Sequence, residues 1–110
     1  MKLHNLTPHE INIIDTNGNI VLAIPSEGIA RAQSTRAQSG ALEIDGVSIP
    51  VNSTSFGEVE NLPPAKEGHA YIVSVITAQA VPERKDVFIT DDAVRDEQGR
   101  VVGCRALAHI

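Results

Sequence analysis

Residues 41–51 read ALEIDGVSIPV, and this stretch decides the fold class. At its centre, Asp45-Gly46 supplies the positive φ angles that a tight hairpin turn requires. Apolar side chains recur at every second position on both sides of this turn, which is the period of a β-strand. These alternating residues are Leu42, Ile44, Val47, Ile49 and Val51. The stretch therefore predicts a β-hairpin.

Two more turn signals separate apolar runs elsewhere in the chain, and no long stretch shows the 3.6-residue period of a helix. They are Asn17-Gly18, between residues 11–15 and 20–25, and Gln98-Gly99, between residues 93–94 and 101–107. Neither a repeat nor a linker divides the sequence. We predict a single domain over residues 1–110 that is mainly β: a small antiparallel barrel or sandwich built of hairpins, with at most one or two short helices.

The strongest strand signal is Tyr71–Ile76, whose nearly continuous apolarity predicts a central strand. Residues 77–81 are alanine-rich and suit one helical turn, which Pro82 would end. Residues 29–36 alternate loosely and suit an edge strand. Thr7–Glu10 has the chemistry of a single turn leading into a strand, although His9 within it could also contact a ligand or act as a general acid or base.

Composition excludes several classes of protein. The net charge is −5 and aromatic residues make up 3% of the chain, which argues against binding to long nucleic acids. The most apolar window, residues 70–81, is much shorter than the roughly 20 residues that span a bilayer. A single cysteine, Cys104, suits a reducing compartment. We therefore expect a cytoplasmic protein that binds neither long nucleic acid nor membrane.

No catalytic or metal-binding pattern stands out. The four histidines and Cys104 match no zinc-ligand spacing, so we predict neither a metal nor another cofactor. Ser74 does not lie in a nucleophile elbow. Cys104 and His109 could form a nucleophilic pair, but a buried, inert cysteine is the simpler interpretation. The sequence thus favours a protein that is not an enzyme.

A binding site for a small anion is the functional hypothesis that the residues support. Arg84 follows the predicted central strand in a loop stiffened by Pro82, and an arginine can bind a phosphate or carboxylate through two parallel hydrogen bonds. The alternative for Arg84 is an ion pair with Asp86, while Arg36 and Arg100 are expected to be merely solvated. The predicted ligand-binding residues are Thr7, His9, Arg31, Ser74 and Arg84.

Several sequence words give the chain a resemblance to a group of small uncharacterised proteins encoded by tailed bacteriophages and prophages. The words are Leu6–His9, Ala30-Arg31, Tyr71–Ser74, Ala80–Val87, Arg95–Arg100 and Gly103-Cys104. The resemblance implies a phage accessory protein that acts in the cytoplasm of a bacterial host.

In that context we expect an anti-defence protein that sequesters a nucleotide-type immune signal of the host without cleaving it. The alternatives are a phage enzyme that cleaves such a signal, and a virion or protein-interaction module. A β domain of this size with few aromatics has a small core, and its strand edges need cover. We therefore also expect a homo-oligomer.

Overall fold

The computed structural model describes residues 1–110 and is mainly β, with one short helix. The elements are β1 (Lys2–Asn5), β2 (Ile11–Ile14), β3 (Ile20–Ile24), β4 (Arg31–Ile44), β5 (Val47–Glu60), β6 (His69–Ile72), α1 (Val75–Ala80), β7 (Val87–Arg95) and β8 (Val101–Ala108). α1, the one helix, has neither the length nor the apolarity to cross a membrane.

Six strands form one sheet in the order β1-β6-β7-β8-β2-β3, and β4 and β5 form a separate two-stranded sheet. The predicted mainly β fold, built of hairpins with a short helix, is confirmed, and the arrangement is sandwich-like rather than a closed barrel. The six-stranded sheet is nevertheless mixed. β1 pairs with β6, β6 with β7, and β2 with β8 in parallel, whereas β2–β3 and β7–β8 are antiparallel.

All three predicted hairpins are present. They turn at Asn17-Gly18, at Asp45-Gly46 and at Gln98-Gly99. The middle hairpin is far longer than predicted, because the polar residues 52–55 continue the ladder instead of leaving it. Strand pairing uses backbone groups, so polar side chains do not end it.

The predicted central strand is shorter than expected but lies inside the sheet. β6 ends at Ile72, and Ser74 then caps α1 by accepting a hydrogen bond from the backbone N–H of Thr77. Ile72 and Val73 are almost fully buried. They belong to two small core clusters, the larger of which also contains Leu6, Ala30, Tyr71, Ala78 and Val87.

A glycine allows β2 and β8 to lie close together. A Cβ atom at Gly103 would lie 2.5 Å from Ile14 Cδ1 and 2.6 Å from the carbonyl oxygen of Asn12. Real side chains do not approach a backbone atom this closely, so any residue larger than glycine would force the two strands apart. Gly103 and Asn12 both line the cleft described below.

The β4–β5 hairpin, residues 31–60, projects from the rest of the chain, and we call it the arm. Its cross-strand pairs Leu42–Ile49 and Ile44–Val47 lie on the same side as Val51, because opposed residues of an antiparallel ladder share a face. All five of these aliphatic side chains are exposed, Leu42 and Val47 by 57% and 59%. We call this surface the apolar face of the arm.

The arm gives the chain much more surface than a compact monomer would have. The solvent-accessible area is 7611 Å², against about 5900 Å² expected for a folded monomer of this mass. The radius of gyration is 17.6 Å, against about 13 Å expected for this length. The excess area is about 1700 Å² by the same scaling.

Candidate functional site

The largest cavity is a cleft of about 640 Å³, the size of a typical small-molecule site. Its walls come from the loop between β1 and β2, the start of β2, the residues that open α1, and the β7–β8 hairpin. Three of the predicted ligand-binding residues, Thr7, His9 and Ser74, line this cleft together.

Buried Asn5 shapes the loop that brings Thr7 and His9 to the cleft. Its side-chain amide donates to the carbonyls of His9 (2.7 Å) and Ile24 (3.0 Å). Its side-chain oxygen accepts from the backbone N–H of Thr7 (3.0 Å) and from the Thr7 hydroxyl (2.6 Å). One fully buried side chain thus connects the end of β1, the loop and the end of β3.

Two of the three hydroxyl side chains that line the cleft, those of Thr7 and Ser74, already make hydrogen bonds within the protein; the third belongs to Thr90. Thr7 Oγ1 donates its proton to Asn5, so it offers lone pairs to a ligand. Ser74 Oγ lies 3.0 Å from Thr77 Oγ1 and also caps α1. Thr7 and Ser74 are therefore poor donors for the predicted anion, because the Thr7 proton goes to Asn5 and Ser74 is committed to its helix.

Three carboxylates that sequence analysis did not assign to the site line the cleft: Glu10, Asp91 and Asp92. Successive strand residues normally point to opposite faces. The backbone at Asp92 has a φ of 53°, in the left-handed region, at the point where the two adjacent aspartates line the cleft. Such strained positions in non-glycine residues concentrate at functional sites.

The cleft is therefore rich in acceptors and acidic. No lysine or arginine lines it, and His9 is the only basic side chain among its lining residues. The apolar part of the wall includes Ile11, Val73 and Ile89. Cys104 also lines the cleft and is buried, as predicted. Burial is the main cause that raises the pKa of its thiol. His109 contacts Phe88 instead, with ring centroids 4.5 Å apart.

The structure places Arg84 in a different, smaller cavity of about 250 Å³. Its Nε donates to Asp86 Oδ1 and its Nη2 to Asp86 Oδ2, both at 2.8 Å, and Nη2 also donates to the carbonyl of Pro63 at 2.9 Å. This is the ion pair that sequence analysis kept as the alternative. Hydrogen bonds from Arg84 are the main cause that lowers the pKa of Asp86.

Arg31 also lies away from the cleft, exposed at the first position of the arm. The structure thus brings together Thr7, His9 and Ser74 but neither of the two predicted arginines. No group of three histidine, cysteine, aspartate or glutamate side chains is arranged to hold a metal ion.

Comparisons with known proteins add no relative: no family model, curated protein or solved structure matches this chain.

Replacing Arg84 with alanine is expected to destabilise the fold. The change removes both hydrogen bonds that the Arg84 guanidinium donates to the half-buried Asp86 carboxylate, which should lower the free energy of unfolding by about 1–3 kcal/mol at neutral pH. The pKa of Asp86 is depressed in the folded chain, so this contribution is complete above the carboxyl's ordinary value near 4 and is lost as the pH falls through the folded value. Urea unfolding of both proteins at neutral and acidic pH measures the difference.

Arg100→Ala is the matched control. Arg100 pairs with Asp96 at 3.2 Å, but its side chain is 74% exposed. Exposed pairs contribute little, so the stability should change by less than about 0.5 kcal/mol. Equal losses in the two variants would contradict the structural role assigned to Arg84.

Proposed function

We propose that this chain is a non-catalytic binding protein that sequesters a small nucleotide-type ligand in the cleft. The observation that supports the proposal is the convergence of Thr7, His9 and three carboxylates around a 640 Å³ cavity with a partly apolar wall. A few polar groups on an otherwise apolar concave surface are typical of small-molecule sites.

The chemistry of the cleft favours the nucleoside end of such a ligand. Carboxylates accept hydrogen bonds from ribose hydroxyls and from the exocyclic amines of bases. Aliphatic side chains such as Ile11 and Ile89 offer the base an apolar surface. Glu10, Asp91 and Asp92 would repel a phosphate, so the anionic part of the ligand extends out of the cleft in this proposal.

The biological ligand proposed is an immune signal of a bacterial host. This part rests on the resemblance to phage and prophage proteins, which makes the host cytoplasm the site of action and makes sequestration an anti-defence function. Two alternatives compete with this proposal: an enzyme that cleaves the signal, and a virion or protein-interaction module. The test below distinguishes them.

Retention of an intact nucleotide signal is the expected result of a direct binding test. The purified protein is incubated with a panel of nucleotide signals, washed and heat-denatured, and the released molecule is identified by chromatography. Adenosine and related nucleosides should compete for the site, while inorganic phosphate should not. An altered product would establish a cleaving enzyme, and no retention would contradict a sequestering role.

Asp92→Asn localises the binding to the cleft. Asparagine tolerates the left-handed backbone, so the change removes a charge without straining the strand. Loss of one charge-assisted hydrogen bond should weaken binding about tenfold to a hundredfold. Asp45→Asn is the matched control, because Asp45 has a nearly identical φ of 52° in the turn of the arm. Equal affinities in parent and Asp92→Asn would place the ligand elsewhere.

We also propose that the protein is a homo-oligomer in which the apolar face of one arm packs against the apolar face of another. A two-stranded hairpin alone is only marginally stable in water, yet each strand of the arm has 14 residues. In this proposal the same face of both copies forms the contact, as in an interface related by a two-fold axis.

The size of the excess surface supports a second copy as the occupant. An excess of about 1700 Å² per chain matches the interfaces of obligate homodimers, which bury about 2000–5000 Å² in total. Only 14 of 110 residues are buried, which leaves the chain a small core of its own. Association between copies would add to it.

Interrupting the apolar face should dissociate the oligomer. Leu42→Lys combined with Ile49→Glu places opposite charges on a cross-strand pair, which keeps the hairpin paired while removing two aliphatic side chains from the face. Self-association should weaken at least about a hundredfold, because burial of each such side chain contributes about 1.5–3 kcal/mol. Light scattering over a concentration series measures the effect.

Ser48→Lys is the matched control for the arm. Ser48 opposes Glu43 on the other face, so this variant adds a charge pair without touching the apolar face. It should associate like the parent. A monomeric parent protein, or equal dissociation of both variants, would contradict the proposed interface.

A further inference from the structure

A second cluster of titratable side chains lies away from the cleft, on the edge strand β1 and its neighbour β6. Nδ1 of His4 lies 3.0 and 3.1 Å from the two carboxylate oxygens of Glu27, and its Nε2 lies 2.8 Å from Nδ1 of His69. The two rings are parallel to within 4°, with centroids 5.1 Å apart. A 2.8 Å nitrogen–nitrogen contact at that separation means that the rings lie edge to edge in nearly one plane.

This arrangement determines where the protons sit. A carboxylate only accepts hydrogen bonds, so His4 Nδ1 carries its hydrogen and donates it to Glu27. In neutral His4, Nε2 is then an acceptor, and His69 Nδ1 must be the donor. The remaining nitrogen, His69 Nε2, is left at the outer end of the chain with a free lone pair. Glu27, His4 and His69 thus form a relay, with His69 Nε2 as the atom that takes up a further proton.

Two lysines lie on the segments next to His69. The parallel pairing sets Lys2 beside His69, and the backbone N–H of His69 donates to the carbonyl of Lys66 at 3.1 Å. Partial burial, then the charges of Lys66, His4, Lys2 and the Met1 amino group, lower the pKa of His69. Tyr71 packs against His4 from β6, and Glu27 is the only carboxylate in the relay. The cationic groups Lys2, Lys66 and the Met1 amino group thus outnumber the two carboxylates nearby, Glu27 in the relay and Glu67 beside Lys66, on a chain whose net charge is −5.

We propose that Lys2, Lys66 and the protonated relay form a binding site for a phosphate-type dianion, with His69 Nε2–H and the two ammonium groups as donors. Binding of the dianion and uptake of a proton by His69 favour each other. The negative charge of the dianion stabilises the protonated imidazole, and the positive charge of the imidazole stabilises the bound dianion. The site is independent of the cleft and of its ligand.

Sulfate is the probe, since it stays a dianion over the pH range in which histidines titrate, whereas a phosphate group changes charge near pH 6. The pKa of His69 is measured by NMR titration in sodium sulfate and in sodium chloride of equal ionic strength. A bound dianion should raise this pKa by about 1 in sulfate relative to chloride. The same pKa in both salts would overturn the proposal.

Two variants show whether the effect belongs to this site. The double variant Lys2→Gln with Lys66→Gln should abolish the difference in His69 pKa between sulfate and chloride, whatever its effect on the pKa in chloride alone. Lys85→Gln removes an exposed lysine elsewhere, in the loop before β7, and should leave the difference intact. A difference that survives the double variant, or that Lys85→Gln removes, would show a general salt effect and reject the site.

Discussion

The buried amide of Asn5 is the interaction on which the cleft depends. Its four hydrogen bonds connect the end of β1, the Thr7–His9 loop and the end of β3. An unpaired buried amide would cost several kcal/mol, so the loop is held in the one shape that satisfies every donor and acceptor of this side chain. That shape turns Thr7 and His9 toward the carboxylates of β7. A local polar network thus places residues that are far apart in sequence around one cavity.

The arm imposes the second constraint. Its two strands pair along almost their whole length, but the five aliphatic side chains of its apolar face are exposed. A chain of this size with so little buried surface has a small margin of stability. Covering the apolar face with a second copy would both stabilise the fold and order the arm. The proposed assembly would therefore be coupled to folding.

Sequence reasoning succeeded where the signal was local. Three hairpins could be predicted from their turn residues, because turn chemistry acts within a few residues. These turns are Asn17-Gly18, Asp45-Gly46 and Gln98-Gly99. The parallel pairing of β1 with β6 has no such signal, since the two strands are joined by most of the chain. Of the predicted ligand-binding residues, Thr7, His9 and Ser74 lie together, whereas Arg84 pairs with Asp86. Nothing local in the sequence marks Asp91 and Asp92 as part of a site, because they line the cleft only through the packing of β7 against the Thr7–His9 loop.

Hydrogen exchange in the arm tests most directly whether a second copy covers it. Amide exchange of residues 36–56 is followed by mass spectrometry across a dilution series, with β6 and β7 as internal reference. Pairing of two arms predicts that the arm is protected at high protein concentration and exchanges much faster on dilution, while the reference strands change little. Exchange in the arm that does not depend on concentration, whether fast or slow, would contradict it.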